Sequence, residues 1–211
     1  MAGDTEEDPA MASGPALRLN RGATVWLTGL SGAGKSTLAG TVAELVGGGT
    51  EVEVLDGDEI RRTISSDLGF SRQDRDAQGR RVGFIAELLT RHRVLTLVPV
   101  IAPYAETRDA VRERHERNGS AFLEVYVSTP LGECARRDPK GLYAKAASGE
   151  ITGLTGYDDV YEQPEHPDLR LDTTELDAGP SAERIVDLLL ERGVLEYVES
   201  PVLTGSEYRD R

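Results

Sequence analysis

A lysine, a serine and a closely spaced pair of aspartates are the residues of this chain whose types and spacing suit phosphate chemistry. Lys35 and Ser36 close the stretch Gly29-Leu30-Ser31-Gly32-Ala33-Gly34-Lys35-Ser36-Thr37, which fits the pattern G-x-x-x-x-G-K-[ST]. Four specified letters arise by chance in roughly one chain per hundred at average composition, and the flanking segments lower that further. A nucleotide triphosphate carries several negative charges, and a chain surrounds them closely only with backbone N–H groups. Gly29, Gly32 and Gly34 allow positive φ and remove the Cβ atoms that would block the approach, so successive amides form an anion-binding concavity at a helix N-terminus. Gly29, Ser31, Gly32, Ala33, Gly34, Lys35, Ser36 and Thr37 are therefore the candidates for holding the phosphates of ATP. Lys35 would reach the β- and γ-phosphates and the Ser36 hydroxyl would hold Mg²⁺.

The aspartates lie in Asp56-Gly57-Asp58, after the strand-like run Val52-Glu53-Val54-Leu55. Carboxylates at the C-terminal end of a strand are where ligands sit in open α/β sheets. Phosphoryl transfer needs a positioned hydroxyl, a metal ion and surrounding cations more than covalent chemistry. One aspartate accepts or orients the proton of the attacking hydroxyl while the other supports Mg²⁺ through water. Asp56 is preferred as the base because it lies nearest the strand end. The competing use of this pair is a polar turn in which Asp58 caps the following helix.

The elements that must position these groups follow from apolar patterning. Strands are expected over residues 23–28, 52–55, 94–101, 122–127 and 169–171, with 94–101, the most apolar run, as a central buried strand. Helices are expected over 35–46, 59–67, 76–92, 107–118, 131–137 and 180–191, with Gly47-Gly48-Gly49 ending the first. In the helix over 76–92, Val82, Ile85, Ala86, Leu88 and Leu89 are spaced to face a core. Strand alternating with helix implies an α/β fold, a doubly wound parallel sheet with helices on both faces. Residues 138–167 break the rhythm and have no long apolar stripe, as a lid does. Residues 1–21 lack periodicity and read as a disordered acidic leader, 22–193 as one kinase-sized domain, and 194–211 as an acidic C-terminal tail.

At 211 residues the chain has room for one such domain. A net charge of −13 argues against nucleic acid and anionic membrane as partners. Arginines 61, 62, 72, 75, 80, 81, 91 and 93 form a local exception, outnumbering Asp67, Asp74, Asp76 and Glu87. Cys134 is the only cysteine, which excludes an intrachain disulfide and fits a reducing cytoplasm. No apolar run approaches the ~18 residues of a membrane span, and no basic region marks a signal peptide.

Several stretches together resemble the adenylylsulfate kinases, P-loop enzymes that use ATP to phosphorylate the 3′-hydroxyl of adenosine 5′-phosphosulfate. They are Gly29 to Thr37 as quoted, Leu55-Asp56-Gly57-Asp58, Asp67-Leu68-Gly69-Phe70-Ser71 with Asp74-Arg75, and Arg80-Arg81. Arg137-Asp138-Pro139-Lys140-Gly141-Leu142-Tyr143 and Thr155-Gly156-Tyr157-Asp158-Asp159 with Tyr161-Glu162 follow in the family's order. The resemblance covers roughly residues 22–191. It implies a P-loop nucleoside-kinase-like three-layer sandwich whose lid is the segment 138–167, with Mg²⁺ as cofactor and ATP and adenylylsulfate as substrates. Members commonly form homodimers, and no interface signature marks one here.

Residue by residue, the resemblance assigns Arg61 and Arg75 to the phosphosulfate and ribose of the acceptor and Phe70 to stacking on its adenine. Guanidinium forks suit such oxyanions. Arg80 and Arg81 assist, Lys140 meets the ATP phosphates from the lid, and Arg136 or Arg137 packs on the ATP adenine. Asp58 joins the acceptor site, as do Gln78, which carries the amide of the usual Asn one methylene further out, and Leu154, which stands where an aromatic commonly covers the substrate base. Other departures are Glu59 for Asn, Ala77 and Gly79 around Gln78, Thr152 for Lys, and Ala102-Pro103 for Ser-Pro. The nucleotide half of the pattern is intact and the acceptor half altered. This leaves a paralogous kinase of a related nucleotide-linked acceptor as the alternative. A GTPase-like switch lacks its guanine-selecting segment here, and a catalytically silent binding protein is disfavoured because Lys35, Asp56 and Asp58 are all present.

Overall fold

A computed structural model describes residues 16–47 and 50–198. The chain runs β1 (Ala16–Leu19), β2 (Ala23–Thr28), α1 (Lys35–Val46), β3 (Val52–Val54), α2 (Gly57–Arg62), α3 (Arg72–Arg91), β4 (Leu95–Pro99), α4 (Ala105–Arg117), β5 (Ala121–Val127), α5 (Leu131–Arg137), α6 (Leu142–Ala147), β6 (Leu169–Leu171), α7 (Ala178–Glu191) and β7 (Leu195–Val198). Five parallel strands form a sheet in the order β3-β4-β2-β5-β6. The strand at the middle is β2, and β4, expected as a central buried strand, lies inside the sheet between β3 and β2 and is buried throughout.

Because side chains alternate across a strand, β2 feeds both layers. Val25 and Leu27 pack with Leu38, Val42 and Leu189 on the side of α1 and α7. Trp26 packs with Val82, Ala86, Val98, Val111 and Phe122 on the side of α3 and α4. This is the expected three-layer, doubly wound sandwich. Helices α3 and α4 approach closely because Gly79 and Gly83 have no side chains. A Cβ there would lie 2.5 Å from Thr107 Cγ2 and 2.6 Å from Val111 Cγ2 respectively. Close packing thus explains two glycines that cost a helix interior about 1 kcal/mol each.

Three expectations change. Part of the leader expected over residues 1–21 forms a strand: β1 pairs antiparallel with β7, Leu17 opposite Tyr197 and Leu19 opposite Leu195, so part of the expected tail is structured with it. Leu17 and Leu19 pack against the core and Leu195 lies within it, and a four-residue strand is too short for periodicity to reveal. Residues 1–15, 199–211 and Gly48-Gly49 lie outside the described residues. Next, α2 begins two residues earlier than expected and stops at Arg62, because Asp56 caps it. Finally, the segment 138–167 does contribute to the core, through Tyr143 and Leu154. No described helix is long and apolar enough to cross a membrane.

Candidate active site

The loop between β2 and α1 takes the conformation its glycines permit, with φ of 152° at Gly29, 77° at Gly32 and 101° at Gly34. The space behind the loop is as demanding as the space in front. A Cβ on Gly29 would lie 2.4 Å from the Val127 carbonyl oxygen, and one on Gly32 2.9 Å from that of Cys134. The loop's carbonyls are held from behind by hydroxyls. Tyr143 Oη donates to the Ser31 carbonyl at 3.0 Å, and Thr129 Oγ1 and Thr173 Oγ1 each donate to that of Ala33 at 3.1 Å. Sequence reasoning missed these three as functional supports. The available signal for Thr129 and Thr173 was a small hydroxyl residue just beyond the C-terminal end of a parallel strand.

Lys35 lies in the first turn of α1 and is buried, its Nζ donating to the Leu30 carbonyl at 2.7 Å. Burial, and next the charge of Lys140, bring its pKa down to about 8. Ser36 and Thr37 are exposed at the helix start. Ser36 Oγ donates to Asp56 Oδ2 at 2.9 Å. The other oxygen of Asp56, Oδ1, accepts the amides of Asp58 at 2.9 Å and Glu59 at 3.4 Å. The helix cap is thus Asp56 and not Asp58. With both oxygens engaged, Asp56 is a fixed carboxylate beside Ser36. Asp58 projects from the same turn with its side chain 62% exposed and is ion-paired with Lys140. The site therefore gathers Lys35, Ser36, Asp56, Asp58 and Lys140 at the C-terminal edge of the sheet.

A second group assembles beyond Asp58. Arg61 donates to the Gly69 carbonyl at 2.6 Å, and its guanidinium carbon lies 4.6 Å from the Phe70 ring centroid. Arg75 donates to the carbonyls of Phe70 at 2.9 Å and Gly153 at 2.7 Å, and lies 5.7 Å from the same ring. Phe70 itself is 67% exposed. A phenylalanine so exposed, with two guanidinium groups near its ring, contributes little to the core. Burial, then the charge of Arg75, lowers the pKa of Arg61.

The remaining predicted residues divide. Gln78 is buried, with Nε2 donating to the Gly57 carbonyl at 3.2 Å and Oε1 without a protein partner. It supports the turn carrying both aspartates. Leu154 is buried in the core cluster with Tyr143, with Leu30 packed against it, while Phe70 is exposed. Arg80 pairs with Asp76 at 2.8 Å, and Arg81 pairs with Asp67 at 2.5 Å. Neither joins Arg61 and Arg75, because Arg80 meets a carboxylate one turn back on its own helix and Arg81 one in the segment before α3. Arg136 is exposed and pairs with Glu133, whose pKa falls to about 2 through hydrogen bonds from Arg136 and Arg137. Arg137 also donates to Thr173 Oγ1 at 2.7 Å, and so steadies the hydroxyl that holds the P-loop.

Oxygen donors at Ser36 and Asp56 suit a hard divalent cation, which takes one or two protein oxygens and completes its shell with water and phosphate. Their 2.9 Å separation and solvent exposure fit Mg²⁺.

Residues 21–172 match the model of the family described as adenylylsulphate kinase. The adenylyl-sulfate kinase of Picosynechococcus sp. is 46% identical over 177 residues, which are 83% of this chain and 98% of that protein. The adenylyl-sulfate kinase of Halothermothrix orenii is 45% identical over 190 residues, 90% of this chain and 100% of that protein. Among solved structures, the Mycobacterium tuberculosis APS kinase CysC in complex with AMPPNP and APS superposes with a TM-score of 0.78 at 48% identity, covering 81% of this chain and 98% of that one.

Proposed function

This chain belongs to the adenylylsulphate kinase family, and on that premise we propose which of its residues carry each part of the transfer. It is an ATP-dependent adenylylsulfate kinase, moving the γ-phosphoryl group to the 3′-hydroxyl of adenosine 5′-phosphosulfate. The observation that carries the assignment of residues is the pairing of two clusters on one edge of the sheet. Lys35, Ser36 and Asp56 form the nucleotide cluster, and Arg61, Phe70 and Arg75 the acceptor cluster, with Asp58 and Lys140 between them.

In this reading the P-loop amides and Lys35 bind the β- and γ-phosphates, and Lys140 approaches them from the lid. Ser36 and Asp56 would hold Mg²⁺, which would neutralise charge on the phosphates. Asp58, exposed and free of backbone bonds through its carboxylate, takes up the proton of the 3′-hydroxyl. Phe70 stacks on the acceptor's adenine, while Arg61 and Arg75 pair with its phosphosulfate. Transfer is direct and in line, since Ala102 offers no hydroxyl for a phosphoenzyme. Arg137 acts on the nucleotide site through Thr173. A cytoplasmic setting and assembly into homodimers complete the proposal.

The test is a coupled ADP-release assay with ATP and Mg²⁺. ADP release that depends on adenylylsulfate and yields 3′-phosphoadenosine 5′-phosphosulfate supports it. No release at millimolar adenylylsulfate, with release on another nucleotide-linked acceptor, would transfer the argument to the paralogous kinase.

A further inference from the structure

The segment 138–167 leaves the sheet at the end of α5 and returns to it near Tyr161-Glu162. Its two ends are tied to different parts of the fold, the leading end to the P-loop through Tyr143 and the trailing end to the turn after β4. At the leading end the backbone passes through left-handed conformations at Asp138, φ 28°, and Gly141, φ 66°. At the trailing end, Glu162 is fixed by its backbone and side chain together. Its amide donates to the Pro103 carbonyl at 2.8 Å, and its Oε2 accepts the Ala105 amide at 2.7 Å. Beside it, the Tyr161 hydroxyl shares a hydrogen bond with Thr28 Oγ1 at 2.9 Å, and Thr28 also donates to the Ile101 carbonyl at 2.6 Å.

The centre of this attachment is Arg108, in α4, with only 3% of its surface exposed. Its guanidinium donates to the Ala102 carbonyl at 2.8 Å and to the Glu162 carbonyl at 2.8 Å, and its third nitrogen lies 2.9 Å from Glu124 Oε1. Each contact belongs to a different part of the chain: the turn after β4, the foot of the lid, and β5. Ala102 has φ 43°, a conformation that non-glycine residues seldom hold unless neighbours fix it. Glu124 is fixed in turn, because Arg112 lies 3.3 Å from its Oε2 and its amide donates to Asp168 Oδ2 at 2.9 Å. A planar guanidinium can donate to two carbonyls from its two terminal nitrogens while its third nitrogen lies in ion-pair contact with a carboxylate, a span that the point charge of an ammonium does not reproduce.

We propose that Arg108 is a positioning residue for the acceptor half of the reaction: it locks the trailing foot of the lid to the strand ends and so fixes where the lid meets the acceptor cluster. The trailing half is the part that meets the acceptor cluster. Gly153 accepts from Arg75, and Asp159 lies 3.9 Å from it. Displacing the foot therefore misplaces the backbone that holds Arg75 and the aromatic platform it flanks, whereas the Thr129 and Thr173 hydroxyls that hold the Ala33 carbonyl of the P-loop belong to other segments. The inference rests on the acceptor assignment above, but part of its readout does not.

Arg108→Lys keeps the charge beside Glu124 and loses the span. It is expected to lower kcat/KM for adenylylsulfate by about 10- to 100-fold, the scale of a 1 Å misplacement. The Kd for a non-hydrolysable ATP analogue should stay within about twofold, because an acceptor-side displacement leaves nucleotide contacts uniform. Amide hydrogen exchange over residues 153–162 should speed up. Tyr161→Phe removes only the bond to Thr28, so it should give a smaller fall in the same parameter and combine non-additively with Arg108→Lys. The proposal is overturned if Arg108→Lys changes acceptor and nucleotide parameters by the same factor, or lowers Tm without accelerating exchange in the lid. Should Arg108→Lys fail to fold, Tyr161→Phe and Glu162→Ala decide. Acceptor kcat/KM within twofold of the wild type in both would overturn it. Failure of the wild type to phosphorylate adenylylsulfate would instead remove the acceptor assignment, with lid exchange and nucleotide affinity still reporting on Arg108.

Discussion

Ser36 Oγ donates to Asp56 Oδ2 at 2.9 Å, joining the first turn of α1 to the end of β3 across 20 residues of sequence. Since the other oxygen of Asp56 caps α2, one carboxylate serves helix start and candidate metal site together. This separates the two aspartates in function. Asp56→Ala should lower stability by about 1 kcal/mol through the lost cap and also abolish most turnover. Asp58→Ala should lower turnover with stability unchanged. Urea denaturation alongside the ADP-release assay distinguishes them, and equal loss of stability in both variants would refute the division.

Lys35→Ala should reduce kcat by at least ~100-fold, the order of losing one preorganised electrostatic donor. Near-normal kcat in the folded variant would remove the P-loop lysine from the mechanism.

The pKa of about 8 at Lys35 gives that lysine a pH signature. Bound phosphates favour the charged form, so nucleotide binding raises the pKa and takes up a proton once the pH exceeds 8. Affinity for an ATP analogue should therefore be full below about pH 8 and fall as pH rises beyond it. Calorimetry in buffers of different ionisation enthalpy measures the proton uptake, which Lys35→Ala should eliminate. A flat affinity profile from pH 7 to 10 in the wild type would exclude this linkage.

Phe70→Ala should leave the fold intact, because the ring is largely exposed. Losing a base-stacking platform is worth roughly 1–3 kcal/mol, so KM for adenylylsulfate should rise by about 5- to 150-fold. The KM for ATP should not move. A parallel rise in both would show that the ring supports the site as a whole.

Two substitutions toward the common family pattern should fail for structural reasons. Leu154→Phe places a larger ring in the core beside Tyr143 and Leu30, and overpacking of this kind typically costs about 1–3 kcal/mol. Gln78→Asn is one methylene too short to keep the 3.2 Å bond to the Gly57 carbonyl. Thermal denaturation should show a lower Tm for the first, and kinetics a lower kcat for the second. A lower acceptor KM in either would mean that the residue faces the substrate after all.

The sequence by itself determined the parts whose chemistry is local. The glycines, lysine and serine of residues 29–37 are contiguous, so one loop had to carry them, and the alternation of apolar runs dictated a parallel sheet with helices on both faces. Asp56 and Asp58 were legible because a strand end places them. Arg61, Phe70 and Arg75 were legible only through resemblance, since a lone phenylalanine or arginine has no local signature of its use. Tertiary structure decided what depends on which distant partner a side chain meets. Arg80 and Arg81 turn to nearby carboxylates, Leu154 turns into the core, and Ala16–Leu19 finds Leu195–Val198 from the other end of the chain. Thr129, Thr173, Tyr143 and Arg108 gained their roles in the same way. A hydroxyl or guanidinium acquires meaning from the acceptor within about 3 Å of it, and for these residues that acceptor belongs to a segment brought near only by the fold.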